Sequence, residues 1–158
     1  MLIVNNQINY FMNEALSMAN LAFNHDEVPV GAIIVNNGKI IGRGYNQVII
    51  KNSVSAHAEI NAIYQASQII KNYRLNGCDI YVTLEPCHMC AKAIVDARIR
   101  SLYFGANEPK TGAIESIDQF FKRDDLNHKV VFSGGHLKDR SSRLLRKFFR
   151  SKRHNKSC

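Results

Sequence analysis

Two short motifs of metal-binding residue types constrain the fold of this 158-residue chain more than any other feature. The first is His57-Ala58-Glu59, and the second runs from Pro86 to Cys90 and contains two cysteines. Cys87 follows His57 by 30 residues, which is enough chain for one helix, one loop and one strand. Each motif stands where a helical pattern begins, so the chain between them must return to the same end of a sheet if they are to meet. The spacing therefore predicts alternating helices and strands around one shared site.

The residue types in these motifs are those of a catalytic zinc site. Cys87 and Cys90 lie three residues apart, so both thiols can face one point across the first turn of a helix. The unpaired N–H groups at a helix start stabilise thiolates there. The imidazole of His57 and two thiolates leave a fourth tetrahedral position open, which is typical of catalytic zinc. Water at that position has its pKa lowered from about 15.7 toward about 7, and Glu59 is close enough to carry its proton.

Two other interpretations of the motifs remain open from the sequence. A closed, structural zinc site would need a fourth ligand, for which Cys78, Cys158 and His88 are the candidates. We expect His88 to point away from a metal that both flanking cysteines face, and to be a packing or surface residue. A thiol–disulfide role for Cys87 and Cys90 would leave the His-x-Glu pair without a function.

The rest of the chain predicts an α/β fold with one mixed sheet. Apolar residues recur at helical spacing in four segments, and short β-rich runs occupy five others. The predicted helices cover residues 7–24, 58–70, 87–97 and 137–150, and the predicted strands cover 32–35, 39–42, 79–83, 101–105 and 130–133. The Asn-Gly step at residues 37–38 predicts an antiparallel hairpin between the first two strands, and the central βα units predict parallel neighbours.

The formal net charge of +8 lies entirely at one end of the chain. Residues 1–139 contain as many acidic as basic residues, whereas residues 140–158 contain eight Lys or Arg and no acid. A neutral body with a cationic tail indicates a polyanionic partner, although such a tail could also serve solubility alone. We expect residues 1–150 to form a single domain and residues 151–158 to be a basic extension of the last helix that frays.

Compartment and membrane association can also be inferred. No apolar run approaches the roughly 18 residues that a membrane span needs, and residues 1–6 do not have the pattern of a secretory signal. We therefore expect a cytoplasmic protein whose cysteines are thiols or metal ligands rather than a disulfide framework.

The paired motifs, H-x-E followed by P-C-x-x-C, are the known signature of the zinc-dependent deaminases. Over nearly its whole length the chain resembles the bacterial tRNA-specific adenosine deaminases, and the matching runs separate them from free-nucleoside and dCMP deaminases. Those runs are residues 27–32 (EVPVGA), 44–46 (GYN), 56–60 (AHAEI), 72–75 (NYRL), 81–87 (YVTLEPC), 110–113 (KTGA) and 148–150 (FFR).

The resemblance implies a three-layer α/β/α cytidine deaminase-like fold with about five strands, a homodimer, and one Zn²⁺ per subunit. It implies hydrolysis of adenosine to inosine at the wobble position of a tRNA anticodon, in an arginine tRNA, with Glu59 as the proton shuttle. Asn46 matches a position whose amide contacts the target base, Val28 and Pro29 match the pocket wall, and Ala58 lies beside the substrate. The residues implied in RNA binding are Lys110, Thr111, Phe149, Arg150, Lys152 and Arg153.

The residue types alone also allow purely structural interpretations of these positions. Asn46 could be a turn residue, and the aromatic pair Phe148-Phe149 should place at least one ring in the core. The chain also departs from the family pattern at Ile114 and Glu115, where small residues are usual, and at Glu108. An acid beside an RNA surface would weaken binding there.

Two other functions remain open from the sequence. One is a deaminase for a small nucleobase or nucleoside such as guanine or cytosine, which would have no use for a cationic tail. The other is a zinc-stabilised RNA-binding module without catalytic activity.

Overall fold

In the computed structural model, which describes residues 1–156, four α-helices surround one five-stranded sheet. The helices are α1 (Leu2–Asn24), α2 (Ala58–Ile70), α3 (His88–Asp96) and α4 (Lys138–Asn155), and a short 3₁₀ helix lies at Phe120–Lys122. The strands are β1 (Gly31–Asn36), β2 (Lys39–Tyr45), β3 (Cys78–Leu84), β4 (Ser101–Ala106) and β5 (Val131–Ser133). A search of the described residues found no helix long and apolar enough to cross a membrane.

The sheet has the strand order β2-β1-β3-β4-β5 and is mixed, as predicted. The hairpin strands β1 and β2 pair antiparallel, and β1 also pairs antiparallel with β3. The pairs β3–β4 and β4–β5 are parallel. One face packs against α2 and α3 around Ile80 and Leu102, and the other packs against α1 around Ile33 and Tyr81. With α4 beside α1 and β4, the three-layer α/β/α architecture is confirmed.

Two helices are longer than the sequence indicated. Helix α1 begins at Leu2, five residues before the predicted start at Gln7, and α4 continues to Asn155, five residues past the predicted end. The added residues are exposed or nearly so, and an apolar period cannot reveal a turn that buries no apolar side chain. Lys and Arg are good helix formers, which favours the longer α4. The predicted fraying of residues 151–158 stays a prediction, and residues 157 and 158 lie outside the described part of the chain.

Strand β2 is also longer than predicted, because its second half contains two glycines, a residue type that is unfavourable in strands. It was expected to end at Gly42, since glycine is depleted in strands, but it continues through Gly44 to Tyr45. A Cβ on Gly42 would lie 2.4 Å from the Ala62 carbonyl oxygen, and one on Gly44 would lie 2.2 Å from the Ala58 carbonyl oxygen. These glycines therefore allow α2 to lie directly on the sheet, which places the first turn of α2 at the sheet edge.

Both motifs meet at that edge. Helix α3 follows the carboxyl end of β3, and the first turn of α2 lies beside the end of β2, next to the start of β1. The parallel strands β3 and β4 end at the same side, where the loop over residues 107–116 follows β4. The fold thus assembles helix starts, strand ends and one long loop around a single site, as the motif spacing predicted.

Candidate active site

Three metal-binding side chains converge at this edge. His57 is the residue before α2, Cys87 is the residue before α3, and Cys90 lies in the first turn of α3. The His57 Nδ1 atom lies 3.7 Å from the Cys87 Sγ atom and 3.5 Å from the Cys90 Sγ atom. Zinc held tetrahedrally by one nitrogen and one sulfur at their usual bond lengths separates those atoms by about 3.6 Å. The donor set and its spacing therefore fit zinc.

The electrostatics of the cluster point the same way. A hydrogen bond from Cys90, followed by one from His57, lowers the pKa of the Cys87 thiol to about 4. The hydrogen bond between the two sulfurs, followed by burial, raises the pKa of Cys90, and the hydrogen bond with Cys87 raises the pKa of His57. The pair of sulfurs thus carries one negative charge easily and resists a second. A divalent cation between the sulfurs would remove that resistance, because it favours both thiolates.

The candidates for a fourth protein ligand do not join this group. Among residues 1–156, the metal-binding cluster contains His57, Cys87 and Cys90 alone. His88 turns outward, as expected, and its Nε2 atom lies 2.8 Å from Asp118 Oδ2. Cys78 begins β3 and therefore lies at the opposite end of that strand from the cluster. Cys158 lies outside the described residues.

The cluster opens into a cavity of about 310 Å³, the size of a small-ligand pocket. Its walls include His57, Cys87, Glu59 and Asn46, together with several apolar side chains. Glu59 lies in the first turn of α2 and is only 4% exposed. Burial raises the pKa of Glu59, so this carboxyl group binds a proton more readily than one in water. A proton acceptor and donor therefore stands beside the candidate metal site.

The four residues implied in substrate binding do not all line the cavity. Asn46, Val28 and Ala58 line the cavity, whereas Pro29 is buried beneath it and is absent from the lining. The backbone N–H of Asn46 donates to the Val30 carbonyl oxygen. Its side-chain amide has no hydrogen-bond partner among residues 1–156, and is thus available to a ligand.

Sequence reasoning missed Asn61, which fixes the segment that carries Asn46. The Asn61 side-chain amide donates to the carbonyl oxygens of Tyr45 and Ala56 and to the Gln47 side chain, at 2.9 to 3.3 Å. It thereby joins α2 to the chain on both sides of residue 46. A polar residue one turn into a helix is common, so its identity carried no signal of this role.

Glu85 is a second residue without a role assigned from sequence, although it belongs to a quoted motif. Its buried carboxylate accepts hydrogen bonds from the backbone N–H groups of Glu108, Ile114, Glu115 and Ser116. The Ser116 hydroxyl and the Asn107 side-chain amide also donate to it. One carboxylate thus fastens both ends of the 107–116 loop, which contributes Glu108 and Thr111 to the cavity wall.

Glu27 is a third such residue. It is 1% exposed, lines the cavity, and accepts a hydrogen bond of 2.7 Å from the Ile50 backbone N–H. That bond holds the segment after β2 against the cavity, where Val48 and Ile49 form part of the wall. Acidic residues at a helix end are usually solvated, so the burial of Glu27 could not be predicted from its residue type.

Most of the residues implied in RNA binding line one groove beside the cavity, which we call the Lys110 groove. This groove has a volume of about 530 Å³. It is lined by Lys110, Leu145, Arg146, Phe149, Lys152, Arg153 and Lys156. Thr111, the next residue of the loop, lines the catalytic cavity instead, and Arg150 is exposed on α4 outside the groove. The two depressions are therefore neighbours across the 107–116 loop.

The aromatic pair divides between core and groove. Phe148 is 5% exposed and packs edge-on against Phe23, whereas Phe149 is 46% exposed in the Lys110 groove. The expectation that at least one ring belongs to the core is confirmed.

The three residues that depart from the family pattern also lie in different environments. Ile114 is 1% exposed and belongs to the hydrophobic core, so it cannot touch RNA. Glu115 is exposed, and its carboxylate accepts a hydrogen bond from Asn107. Glu108 lines the catalytic cavity, where its acid faces any ligand that enters.

The zinc assignment makes a direct prediction. Purified protein should contain about one zinc per chain, and Cys90→Ser should lose most of it, because a serine hydroxyl is a poor zinc ligand. The matched control is Cys78→Ser, which alters another buried cysteine away from the cluster and should retain the metal. Elemental analysis after dialysis against a weak chelator measures both. Equal zinc content in the two variants would contradict the assignment.

Comparison with known proteins agrees with this site. The family model for MafB19-like deaminases matches residues 5–153. A curated tRNA-specific adenosine deaminase of Agrobacterium fabrum is 47% identical over 91% of this chain and 95% of its own. One of Aquifex aeolicus is 42% identical over 92% of this chain and 96% of its own.

Solved structures give the same result. One from a study of A-to-I editing by tRNA:A34 deaminases at the wobble position of transfer RNA has a TM-score of 0.84 and 46% identity. The aligned region covers 86% of this chain and 99% of the chain in that structure. A guanine deaminase from Nitrosomonas europaea shares the fold, with a TM-score of 0.75 and 24% identity. The aligned region covers 89% of this chain and 83% of that protein's chain. The chain thus has a His-Cys-Cys cluster beside a buried glutamate, and its relatives are similar to it over nearly its whole length. It belongs to the tRNA-specific adenosine deaminase family.

Proposed function

We propose that this protein hydrolyses adenosine to inosine at the wobble position, A34, of a tRNA anticodon. The observation that carries the proposal is the adjacency of two sites of different character. A cavity of about 310 Å³ with a candidate zinc site suits one nucleobase, and the Lys110 groove beside it suits the neighbouring RNA. The similarity to tRNA-specific adenosine deaminases supports the same substrate.

The chain's own residues divide the work of the reaction. His57, Cys87 and Cys90 would hold zinc, and the chemistry that zinc supplies in such a site is activation of water at neutral pH. Glu59 carries one proton from the attacking water to the purine ring, and then a second proton from the newly added hydroxyl group to the amine, which leaves as ammonia. Burial raises the pKa of Glu59, which brings its proton affinity closer to what both transfers need. Asn46 offers its side-chain amide to the edge of the base.

Several finer points belong to the same proposal. We expect an arginine tRNA as the substrate, one zinc per subunit, and action in the cytoplasm, where tRNA is modified. We also expect a homodimer, for which the exposed apolar side chains Ile49, Ile50, Val54 and Tyr64 offer contact surface.

The test is incubation of the zinc-loaded protein with an unmodified arginine tRNA transcript, followed by sequencing of the RNA. Inosine reads as G, so we expect an A-to-G change at A34 and at no other adenosine. An unchanged wobble base would contradict the proposal. A transcript with guanosine at that position serves as the control, because it offers no adenosine to the site.

Salt dependence separates tRNA from the alternative, a small nucleobase or nucleoside. Neutralising several phosphates makes RNA binding fall steeply with salt, whereas a small neutral substrate has no such dependence. We therefore expect activity on tRNA at subsaturating concentration to fall by about tenfold or more between 50 and 200 mM salt. Turnover of free adenine, guanine or cytosine at a constant rate over this range, with no activity on tRNA, would favour the alternative.

A further inference from the structure

We propose that the groove between α1 and α4 is a second RNA-binding surface, which holds backbone phosphates of the base-paired stem next to the target loop. The groove has a volume of about 180 Å³, and α4 contributes Arg140, Arg143 and Lys147 to it. Leu16 and Asn20 of α1 line the other side. This inference rests on the proposed function, since it concerns how the same RNA is held.

Within residues 1–156, no acidic side chain neutralises the positive charge in this groove. Arg140 donates to the neutral side-chain oxygen of Asn13, and the Lys147 ammonium lies 5.3 Å from the centre of the Phe23 ring. Arg143 has no partner at all among residues 1–156. Within that described part of the chain, no carboxylate forms an ion pair with any of the three, including Asp139 on the same helix. Three cations thus remain available to an external polyanion.

The lining of the groove indicates what kind of polyanion it fits. Its walls contain cations and aliphatic or amide side chains, and no aromatic ring. The Lys110 groove, in contrast, exposes Phe149 among its cations. Proteins stack unpaired bases on aromatic side chains, but they hold duplex RNA through phosphate and sugar contacts. The Lys110 groove therefore suits the unpaired loop, and the α1–α4 groove suits the paired stem.

One helix joins the two surfaces. With 3.6 residues per turn, Arg140, Arg143 and Lys147 lie on one flank of α4, and Leu145, Phe149 and Lys152 of the Lys110 groove lie on the opposite flank. The exposed ridge between the flanks carries Arg146 and Arg150. The helix is about 27 Å long, so an RNA hairpin that enters the cavity with its loop can continue over cations toward its stem.

The test is the triple variant Arg140→Gln, Arg143→Gln, Lys147→Gln, compared with a matched control. Lys39→Gln, Lys71→Gln, Arg74→Gln removes the same charge from exposed positions at the far end of the sheet. Each protein is assayed with the full tRNA transcript and with a hairpin that carries the same loop on a stem cut to two or three base pairs. Editing rates at several RNA and salt concentrations give KM, kcat and the salt slope.

We expect the triple variant to raise KM for the full transcript by about tenfold with kcat unchanged, and to lower the magnitude of the salt slope by about 2. Its KM for the truncated hairpin should match that of the wild type, and the control should match the wild type on both RNAs. An equal loss on both RNAs would overturn the proposal, because the cations would then act on the loop. An equal loss in the control would overturn it as well, because net charge alone would then suffice.

The same experiment separates this inference from the function on which it rests. If the wild type fails to edit either RNA, the proposed function fails. If the wild type edits both and the triple variant equals it, the function stands and the groove is only a solvated cationic face.

Discussion

Glu59→Gln is expected to lower kcat for tRNA editing by at least about a thousandfold while zinc content and RNA affinity stay as in the wild type. Glutamine keeps the size of the side chain and its place beside Cys90, but it cannot exchange a proton with water and then with the purine. The loss is larger than that of one ordinary hydrogen bond, because the same group serves successive proton transfers. Single-turnover rates and zinc analysis on one preparation measure the two quantities.

The control for this variant is Glu14→Gln. Glu14 forms an ion pair of 2.8 Å with Arg43 on the helix face away from the cavity, so its kcat should equal that of the wild type. Persistent editing by Glu59→Gln would show that another group carries the proton.

The largest effect on stability is expected from Glu85→Gln, which should lower the free energy of unfolding by about 3 kcal/mol. The wild-type carboxylate accepts from four backbone N–H groups, a hydroxyl and an amide. A glutamine has one acceptor oxygen and would place an NH₂ group against donors that are already buried. Denaturant unfolding of the zinc-loaded protein measures the difference.

Glu115→Gln provides the matched control in the same loop. Among residues 1–156, its exposed carboxylate accepts one hydrogen bond, from Asn107, so the change should alter stability by less than about 0.5 kcal/mol. Similar losses in the two variants would mean that the loop is sensitive to charge rather than to the hydrogen bonds of Glu85.

The same carboxylate predicts a dependence of stability on pH. Burial by itself raises the pKa of Glu85, but the hydrogen bonds from Ser116 and from the backbone N–H groups of residues 108, 115 and 116 outweigh it and hold the pKa at about 2. The folded-state pKa lies below the unfolded value near 4.5, so this stabilisation is complete above that pH and is lost as the pH falls toward 2. Between pH 5 and 3, the wild type should therefore lose part of its advantage over Glu85→Gln, and it should lose the rest as the pH falls to about 2.

The metal cluster and the order of layers could be predicted because both depend on local patterns. His57, Cys87 and Cys90 belong to short motifs at helix starts, and the helices and strands around them show clear apolar periods. The cavity wall could not be predicted in the same way. Glu27, Asn61 and Glu85 act through backbone groups far away in the sequence, and such contacts leave no periodic or compositional trace.

The ends of the elements show the same limit. Helices α1 and α4 extend over residues that bury no apolar side chain, so the hydrophobic pattern stopped before the helix did. Strand β2 extends through glycines, whose residue type argues against a strand, because the neighbouring helix requires the space of a Cβ. For β2, therefore, a tertiary contact decided the boundary.

The close approach at Gly44 has a consequence for how sequence variation in this protein should be interpreted. Its neighbour in space, Ala58 of α2, lies between His57 and Glu59, so a methyl group added at Gly44 would push the metal ligand and the proton carrier outward together. A mutational scan would then score Gly44 as sensitively as a catalytic position, although it touches neither substrate nor metal. A map of mutational sensitivity in this enzyme therefore marks positions of close helix–sheet packing as well as catalytic positions. The effect of a substitution at Gly44 should be explained by packing before it is explained by chemistry.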